Sequence, residues 1–441
     1  MRKSLLLFIL SVSVSYGQQK VITLDQAIGM ALERNITVIQ AENTLEGQES
    51  NRLTTYGDFL PSISASGGWT RTQRDGPIFV QGSTFGGGTS LSNNFSTGVS
   101  ANVTLFNGFA NTANFNRAQS NVNAAGFSLT RTRQQTAFQT TQLYLNVLRT
   151  RELLKVREEN LKRSEKQLER IQEANKVGSL ALADVYRQQV QVGTDRLGLI
   201  QAKNDYDKAG ADMAFYLALS VIDDYEFTDP AVPSTVDTAE FKTIDDRYSN
   251  FNTLVDQAMK VRPDYQSAVE SYNAASSGVT VARAGHLPTI SAFASYGSTT
   301  DSLPLSRIGI NKSTQWGISI SLPLFSGFRV DNQWQQAKIN ERNSLEQLQQ
   351  AERQVQVDIR KALLDFNATK QQIIVAQQTV VSAEQDRRIA EEKYNLGAGT
   401  LLDLLVANAN YVSAVSNKVN AVYNYYQVKK QLEFSVGTLS Y

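Results

Sequence analysis

The feature that most limits how this chain can fold is that its sequence pattern is written twice. Gly178 and Asp184, in the stretch Asn175-Lys-Val-Gly-Ser-Leu-Ala-Leu-Ala-Asp-Val185, recur 219 residues later as Gly397 and Asp403, in Tyr394-Asn-Leu-Gly-Ala-Gly-Thr-Leu-Leu-Asp-Leu-Leu405. Ala31 and Pro61 recur 227 residues later as Ala258 and Pro288. A repeat at this scale outranks a domain count taken from length, so the chain reads as two structural halves.

Each half follows one plan. In the first, Leu24, Ala27, Ile28, Ala31 and Leu32 form the stripe of an amphipathic helix expected to run past Ile39 towards Tyr56, where Pro61 stops it. The period then changes to two: Ile63, Ala65, Gly67 and Trp69 alternate with Ser62, Ser64, Ser66 and Gly68, which predicts a strand with one apolar face. Residues 71–94, rich in Gly, Ser, Thr and Asn, predict an exposed loop. A second strand alternates Phe95, Thr97, Val99, Ala101, Val103 and Leu105 with small polar residues and ends at Phe106-Asn-Gly-Phe109.

No proline follows until Pro230, and Val147, Leu154, Leu161 and Leu168 recur every seven residues. That spacing marks coiled-coil packing, and a helix from Asn111 to Lys176 would extend roughly 100 Å. After the Gly178 turn a helix returns from about Leu182 to Leu219. The second half repeats the order with an amphipathic helix (Leu254, Ala258, Val261, Tyr265), a break at Pro288, and a strand carrying Ile290, Ala292, Ala294 and Tyr296. Its returning strand carries Trp316, Ile318, Ile320, Leu322 and Leu324 and ends at Phe325-Ser-Gly-Phe328. Sevenfold Ile359, Phe366, Ile373 and Val380, the Gly397 turn and a final helix through Tyr426 complete it.

These boundaries predict a signal peptide over 1–17, a first repeat over 18–220 (β-hairpin 61–106, tip turn 176–181), an acidic linker or equatorial segment over 221–250, and a second repeat over 251–441 (β-hairpin 288–325, tip turn 395–400). The leader rests on Arg2 and Lys3 before the apolar run Leu5 to Leu10, with small Ser15 and Gly17 at the cleavage end. No later segment has eighteen consecutive apolar residues, so a membrane role has to use strands.

Composition removes several functions. The chain has no cysteine and one histidine, His286, so thiolate metal sites, disulfides and Cys nucleophiles are excluded, and a metal site or hydrolase centre lacks its second ligand or base. We expect no enzyme activity, no metal and no cofactor. A net charge of +1 gives no reason to expect nucleic acid.

Four strands with an apolar outer face suit a transmembrane β-barrel wall, with Ile63, Trp69, Val99, Val103, Ile290, Tyr296, Trp316, Ile318, Ile320 and Leu322 facing lipid. Trp69, Tyr296 and Trp316 cluster at the loop end, with Phe106, Phe109, Phe325 and Phe328 at the other, like two aromatic girdles. Four strands cannot close a barrel, and open edges are not tolerated in lipid, so several copies must share one; three copies would give twelve strands and a water-filled pore. A soluble sandwich is the alternative reading of the alternation.

The chain resembles the TolC family of outer-membrane efflux proteins across essentially its whole mature length. The match is carried by the duplicated Leu60-Pro61 and Leu287-Pro288 strand starts, the Leu-Phe-Asn-Gly-Phe and Leu-Phe-Ser-Gly-Phe strand ends, the two helical turns, and Tyr423-Asn-Tyr425 followed by Gly437-Thr-Leu439. The resemblance implies an α+β membrane protein: a homotrimer with a twelve-stranded β-barrel in outer-membrane lipid and a long periplasmic α-helical barrel. It also implies docking, at the helical tips, to a periplasmic adaptor joined to an inner-membrane transporter, in a Gram-negative efflux or type I secretion system. A secreted coiled-coil structural or adhesion protein is the competing reading, which leaves the amphipathic hairpins without a purpose.

The resemblance further implies a constriction at the tip. Asp403 matches the first of two ring aspartates, the second position being Val406; Tyr394 and Asp184 match polar partners of the closed state, and Gly399 stands where the family has an arginine. Alternatively, Asp184 and Asp403 cap the returning helices. Gly178, Gly397 and Gly399 are expected to serve the turns, and Val177, Ser179, Leu180, Leu396, Ala398 and Thr400 to complete the surface an adaptor grips.

Overall fold

The computed structural model describes residues 20–80, 82–223, 225–228, 235–237, 239–301 and 311–439; the leader expected over 1–17 lies outside them. The chain divides into two compact units, one of Met1–Ile39, Thr132–Val261 and Gln356–Tyr441, the other of Gln40–Arg131 and Arg262–Val355.

In chain order, β1 (Lys20–Ile22) leads into α1 (Leu24–Arg34), whose N-cap Thr23 forms a capping box with Gln26. The helix expected to run on towards Tyr56 breaks at Asn35. Its backbone is extended, and its Oδ1 accepts from the Thr37 amide at 2.9 Å, starting α2 (Ile36–Gly57). Next come β2 (Ser62–Val80), β3 (Ser83–Asn107), the 67-residue α3 (Ala110–Lys176) and α4 (Leu182–Tyr216). The acidic segment carries β4 (Tyr225–Phe227), paired in parallel with β1, and α5 (Glu240–Arg247).

The helix read through Val261 to Tyr265 is two, α6 (Phe251–Val261) and α7 (Pro263–Ala284). Arg262 precedes Pro263, whose ring disfavours helical backbone in its predecessor, and Arg262 is accordingly extended. Then follow β5 (Thr289–Thr300), β6 (Asn311–Ser321), the 67-residue α8 (Arg329–Asn395) and α9 (Leu401–Val436), which runs ten residues beyond Tyr426.

The first unit is helical around a core where α1, β1, β4, α3, α4 and α9 meet. Ala27, Ile22, Phe227, Tyr144, Met213 and Tyr423 are buried there, and Tyr144 Oη donates to the Ile22 carbonyl at 2.9 Å. The sevenfold positions Ile359, Phe366 and Ile373 of α8 are almost fully buried, with Ala362 beside them. Helix α5 is tied to α8 and α9: Glu240 pairs with Lys429 and accepts from Tyr425 Oη at 3.4 Å, and Asp245 pairs with Lys370. Burial, then the Glu240 charge, pushes the Tyr425 phenol up; burial pushes Tyr423 up to about 12.

The second unit holds an antiparallel sheet in the order β2-β3-β5-β6, leaving β2 and β6 as edges. β2 and β3 stay in register from Ser62 opposite Asn102 to Val80 opposite Ser83, with one irregularity between Gly76 and Ile78. Residues 71–80 and 83–94 therefore belong to the two strands of one ladder and not to a loop, which corrects the expectation from their composition. A ladder is made by backbone groups, and few apolar side chains are needed to extend a hairpin already held at its base.

The glycines at the strand ends have distinct causes. Gly108 has φ 67° and a Cβ there would lie 2.9 Å from Leu287 Cβ, while the following Phe109 is itself left-handed at φ 68°. Gly327 and Phe328 repeat that pair at φ 61° and 62°. Two successive left-handed residues turn the chain sharply from sheet to helix, and each phenylalanine lands edge-on against its neighbour, Phe106–Phe109 at 5.3 Å and Phe325–Phe328 at 5.7 Å.

Candidate functional site

Both helical turns close by the same hydrogen-bond pattern. After α3, Gly178 is left-handed (φ 75°) and the Ser179 amide donates back to Ala174 O at 2.9 Å; after α8, Gly397 is left-handed (φ 70°) and the Ala398 amide donates to Lys393 O at 2.8 Å. These are Schellman closures, which satisfy the last carbonyls of each helix. The turns meet around one small core of Ile171, Val185 and Leu401, against which Leu168, Leu180, Tyr394 and Leu405 pack. Val177 and Leu396 stand almost fully exposed at their crests.

Gly399 serves a different purpose from the other two. Its φ is not left-handed, but a Cβ there would lie 3.0 Å from Lys393 Cβ, so a side chain stem is crowded unless the turn shifts by a few tenths of an ångström.

The three residues singled out for gating have mainly local partners. Asp403 is the N3 residue of a capping box on α9: Oδ2 accepts from the Thr400 amide at 3.1 Å and the Thr400 hydroxyl at 2.7 Å, while the Asp403 amide donates to Thr400 Oγ1. Hydrogen bonds from Thr400, with Lys393 adding its charge, hold this exposed carboxyl below its ordinary range. Asp184, at the matching position of α4, has Ala181 as its N-cap and no such box; it accepts instead from Arg187 at 3.0 Å. Tyr394 Oη is buried without a hydrogen-bond partner, and burial, then the Asp184 charge, raises its pKa.

The sheet register sorts the predicted lipid-facing residues onto one face but separates the aromatics expected to cluster at the loop end: Trp69 lies opposite Phe95, whereas Trp316 lies in the row of Ile63 towards the other end, because the register of β6 on β5 sets its height. Ile63, Ala101, Ala294 and Trp316 form one row across all four strands; Ala65, Val99, Tyr296 and Thr314 form the next; Val103, Ala292 and Ile318 lie in line, as do Phe106, Ile290 and Ile320. Between Thr104 and Phe106 the register shifts, so Leu105 is the extra residue and Phe106 takes the row. Trp69 stacks on Phe95 at 6.3 Å, and Leu322 lies just past β6 on an exposed stretch. On the other face Ser64 and Ser100 hydroxyls meet at 2.9 Å, and the Phe293 ring covers Gly317.

Among the described residues no helix is long and apolar enough to cross a membrane, and no group of three His, Cys, Asp or Glu could hold a metal. His286 Nε2 lies 3.8 Å from Asp331 and its ring is edge-on to Trp334.

Sequence reading missed two features. Helix α4 exposes a second apolar stripe, Leu182, Tyr186, Val190, Leu197 and Ile200, away from its buried Val185, Gln188 and Val192; α8 exposes Val357, Leu364, Val375 and Ile389 opposite its buried heptads. The signal was present as helices with two apolar stripes. The other is Tyr411, which lies beneath arginines from α3 and α8; a lone tyrosine in a polar helix gives no such warning.

A sheet with an exposed apolar band on one face, in a chain otherwise built of long helices, is the arrangement of outer-membrane channels. The solved structures agree on the fold. VceC of Vibrio cholerae superposes with a TM-score of 0.80 at 18% identity, over 94% of this chain and 96% of that one, and the Campylobacter jejuni CmeC channel with 0.78 at 19%, over 94% and 85%. A family model described as outer membrane efflux protein matches residues 27–218 and 254–438. The chain belongs to that family, and its location is the outer membrane. TolC of Escherichia coli is 28% identical over 322 residues, 70% of this chain and 63% of TolC; BepC of Brucella suis is 24% identical over 72% of this chain and 66% of BepC. The chain thus spans a little under two thirds of the first relatives it matches.

Proposed function

We propose that the chain is the outer-membrane exit duct of an efflux or type I secretion system, a passive tunnel whose energy comes from an inner-membrane transporter. The observation that carries this is the sheet: four strands, one apolar face open, and both edges unpaired among the described residues. In lipid an open edge costs several kcal/mol per unsatisfied backbone group, so the sheet demands further copies to close it. Three copies supply twelve strands around a water-filled lumen lined by the Ser and Gly face. The exposed stripes of α4 and α8 support the same closure, since one flank can pack on the other in a neighbouring copy and continue the helices into a ring. The named relatives support it too, being an outer membrane protein and an outer membrane efflux protein.

In this reading the two turns form the periplasmic mouth. Val177 and Leu396, exposed at the crests, form with Gly178, Ser179, Leu180 and residues 397–400 a surface suited to a periplasmic adaptor, and Asp403, Asp184 and Tyr394 line or brace the opening. Detergent-extracted protein should run as a trimer and give single-channel conductance in planar bilayers; a water-soluble monomer without conductance would overturn the reading. Asp403→Asn should weaken block by divalent cations added from the helical side, and unchanged block would remove Asp403 from the lumen.

A further inference from the structure

Near the turns, the polar bonds of the expected gating residues stay within their own helices or turns. Asp184 bonds to Arg187 of the same helix and Asp403 to its own N-cap. Beyond the small apolar core under the turns, the polar contacts that tie α8 and α9 to α3 lie deeper. Tyr411 sits ten residues after the start of α9, about 15 Å along it. Its ring centroid is 5.6 Å from Arg163 Cζ of α3 and 5.2 Å from Arg387 Cζ of α8.

Both arginines are held in place by carboxylates. Arg387 pairs with Glu391 at 3.0 Å, Arg170 of α3 approaches the same carboxylate at 3.7 Å, and Arg163 pairs with Glu159 at 3.7 Å. The Nε atoms of Arg163 and Arg387 are buried without a hydrogen-bond partner. A buried guanidinium edge left unsatisfied is costly, and the π system of Tyr411 is the compensating group near both. Without the ring, the two guanidinium groups would border a gap between three helices.

We propose that Tyr411 is a clasp that fixes α9 against α3 and α8 and so restrains opening of the mouth. The clasp rests on the duct reading for its purpose, while its grip on α9 stands on the geometry alone. It assigns to an aromatic ring and two arginines the work that Asp184 and Asp403, engaged locally, do not perform between the helical pairs.

The test compares full-length wild type with Tyr411→Leu, Tyr411→Phe and the double variant Arg163→Gln/Arg387→Gln. Hydrogen exchange over residues 401–415 should quicken by roughly ten-fold or more in Tyr411→Leu. Tyr411→Phe, which keeps the ring, should match wild type. The double variant should loosen the same segment, and adding Tyr411→Leu to it should change little. Exchange over residues 132–148 should stay constant, which separates a clasp from general unfolding. Single-channel conductance or open probability should rise in Tyr411→Leu. Unchanged exchange in Tyr411→Leu, or equal loosening in Tyr411→Phe, overturns the clasp. A wild type that conducts nothing removes the duct reading instead, and the clasp is then judged by exchange alone.

Discussion

Tyr394 Oη and the Asp184 carboxylate are neighbours that do not bond. The carboxylate charge adds to burial in raising the phenol pKa, yet the hydroxyl has no hydrogen-bond partner and Asp184 accepts from Arg187 at 3.0 Å. The ring of Tyr394 belongs to the small core under the two turns, so its packing and its polar tip make opposite contributions to stability.

Tyr394→Phe is therefore expected to leave stability unchanged or raise it by up to about 1 kcal/mol, because it deletes an unsatisfied buried hydroxyl and keeps the ring. Denaturant titration in detergent measures this. A loss of about 1 kcal/mol would mean that Tyr394 and Asp184 bond in solution.

The turn glycines should separate by cause. Gly397→Ala forces a Cβ into left-handed backbone (φ 70°) and should cost about 1–2 kcal/mol. Gly399→Ala should also destabilise, by displacing the turn from Lys393, whereas Gly29→Ala, inside α1 with nothing within 4 Å, should stabilise by about 0.5–1 kcal/mol. Melting temperatures of the three rank them.

Alkaline pH should loosen the helical unit. Tyr423 has its folded pKa raised by burial from 10.0 to about 12, so its contribution is complete below pH 10 and is lost as pH climbs towards about 12. The melting temperature should fall across that window, and Tyr423→Phe should flatten part of the fall. An identical pH profile in the variant would place the loss elsewhere, Tyr425 first, since its phenol is also raised.

The two faces of the sheet should respond oppositely to charge. Ile318→Lys, on the apolar face in line with Val103 and Ala292, should cost about 2–4 kcal/mol of folding free energy in bilayers. Ser319→Lys, opposite Ser291 on the other face, should be tolerated. Equal effects would remove the assignment of lipid and lumen sides.

How much of this was legible varied with the range of the interaction involved. The period-two alternation located the apolar rows, because neighbouring residues of a strand point to opposite faces whatever pairs with it. Heptads at Ile359, Phe366 and Ile373 likewise named the buried edge of α8. The breaks at Asn35 and Arg262 carried visible signals, an amide side chain two residues before Thr37 and a following proline, which the longer helical stripe obscured. Residues 71–94 misled because side-chain composition says little about a ladder made by backbone groups.

The sequence alone determined the order of the hairpins and long helices, the two Gly-centred turns and the apolar sheet face, since each follows from local periodicity or from backbone that only glycine adopts easily. Tertiary structure decided who bonds to whom. Asp403 reads in the sequence as either a ring carboxylate or a helix cap and is engaged by Thr400 as a cap; Gly399 looks like a missing arginine and is a position crowded by Lys393; Tyr411 looks unremarked and meets Arg163 and Arg387 from two other helices. The first two are contacts within a few residues of one turn, whose geometry selects among the locally possible roles, whereas the third joins helices far apart in the chain, which no local pattern fixes.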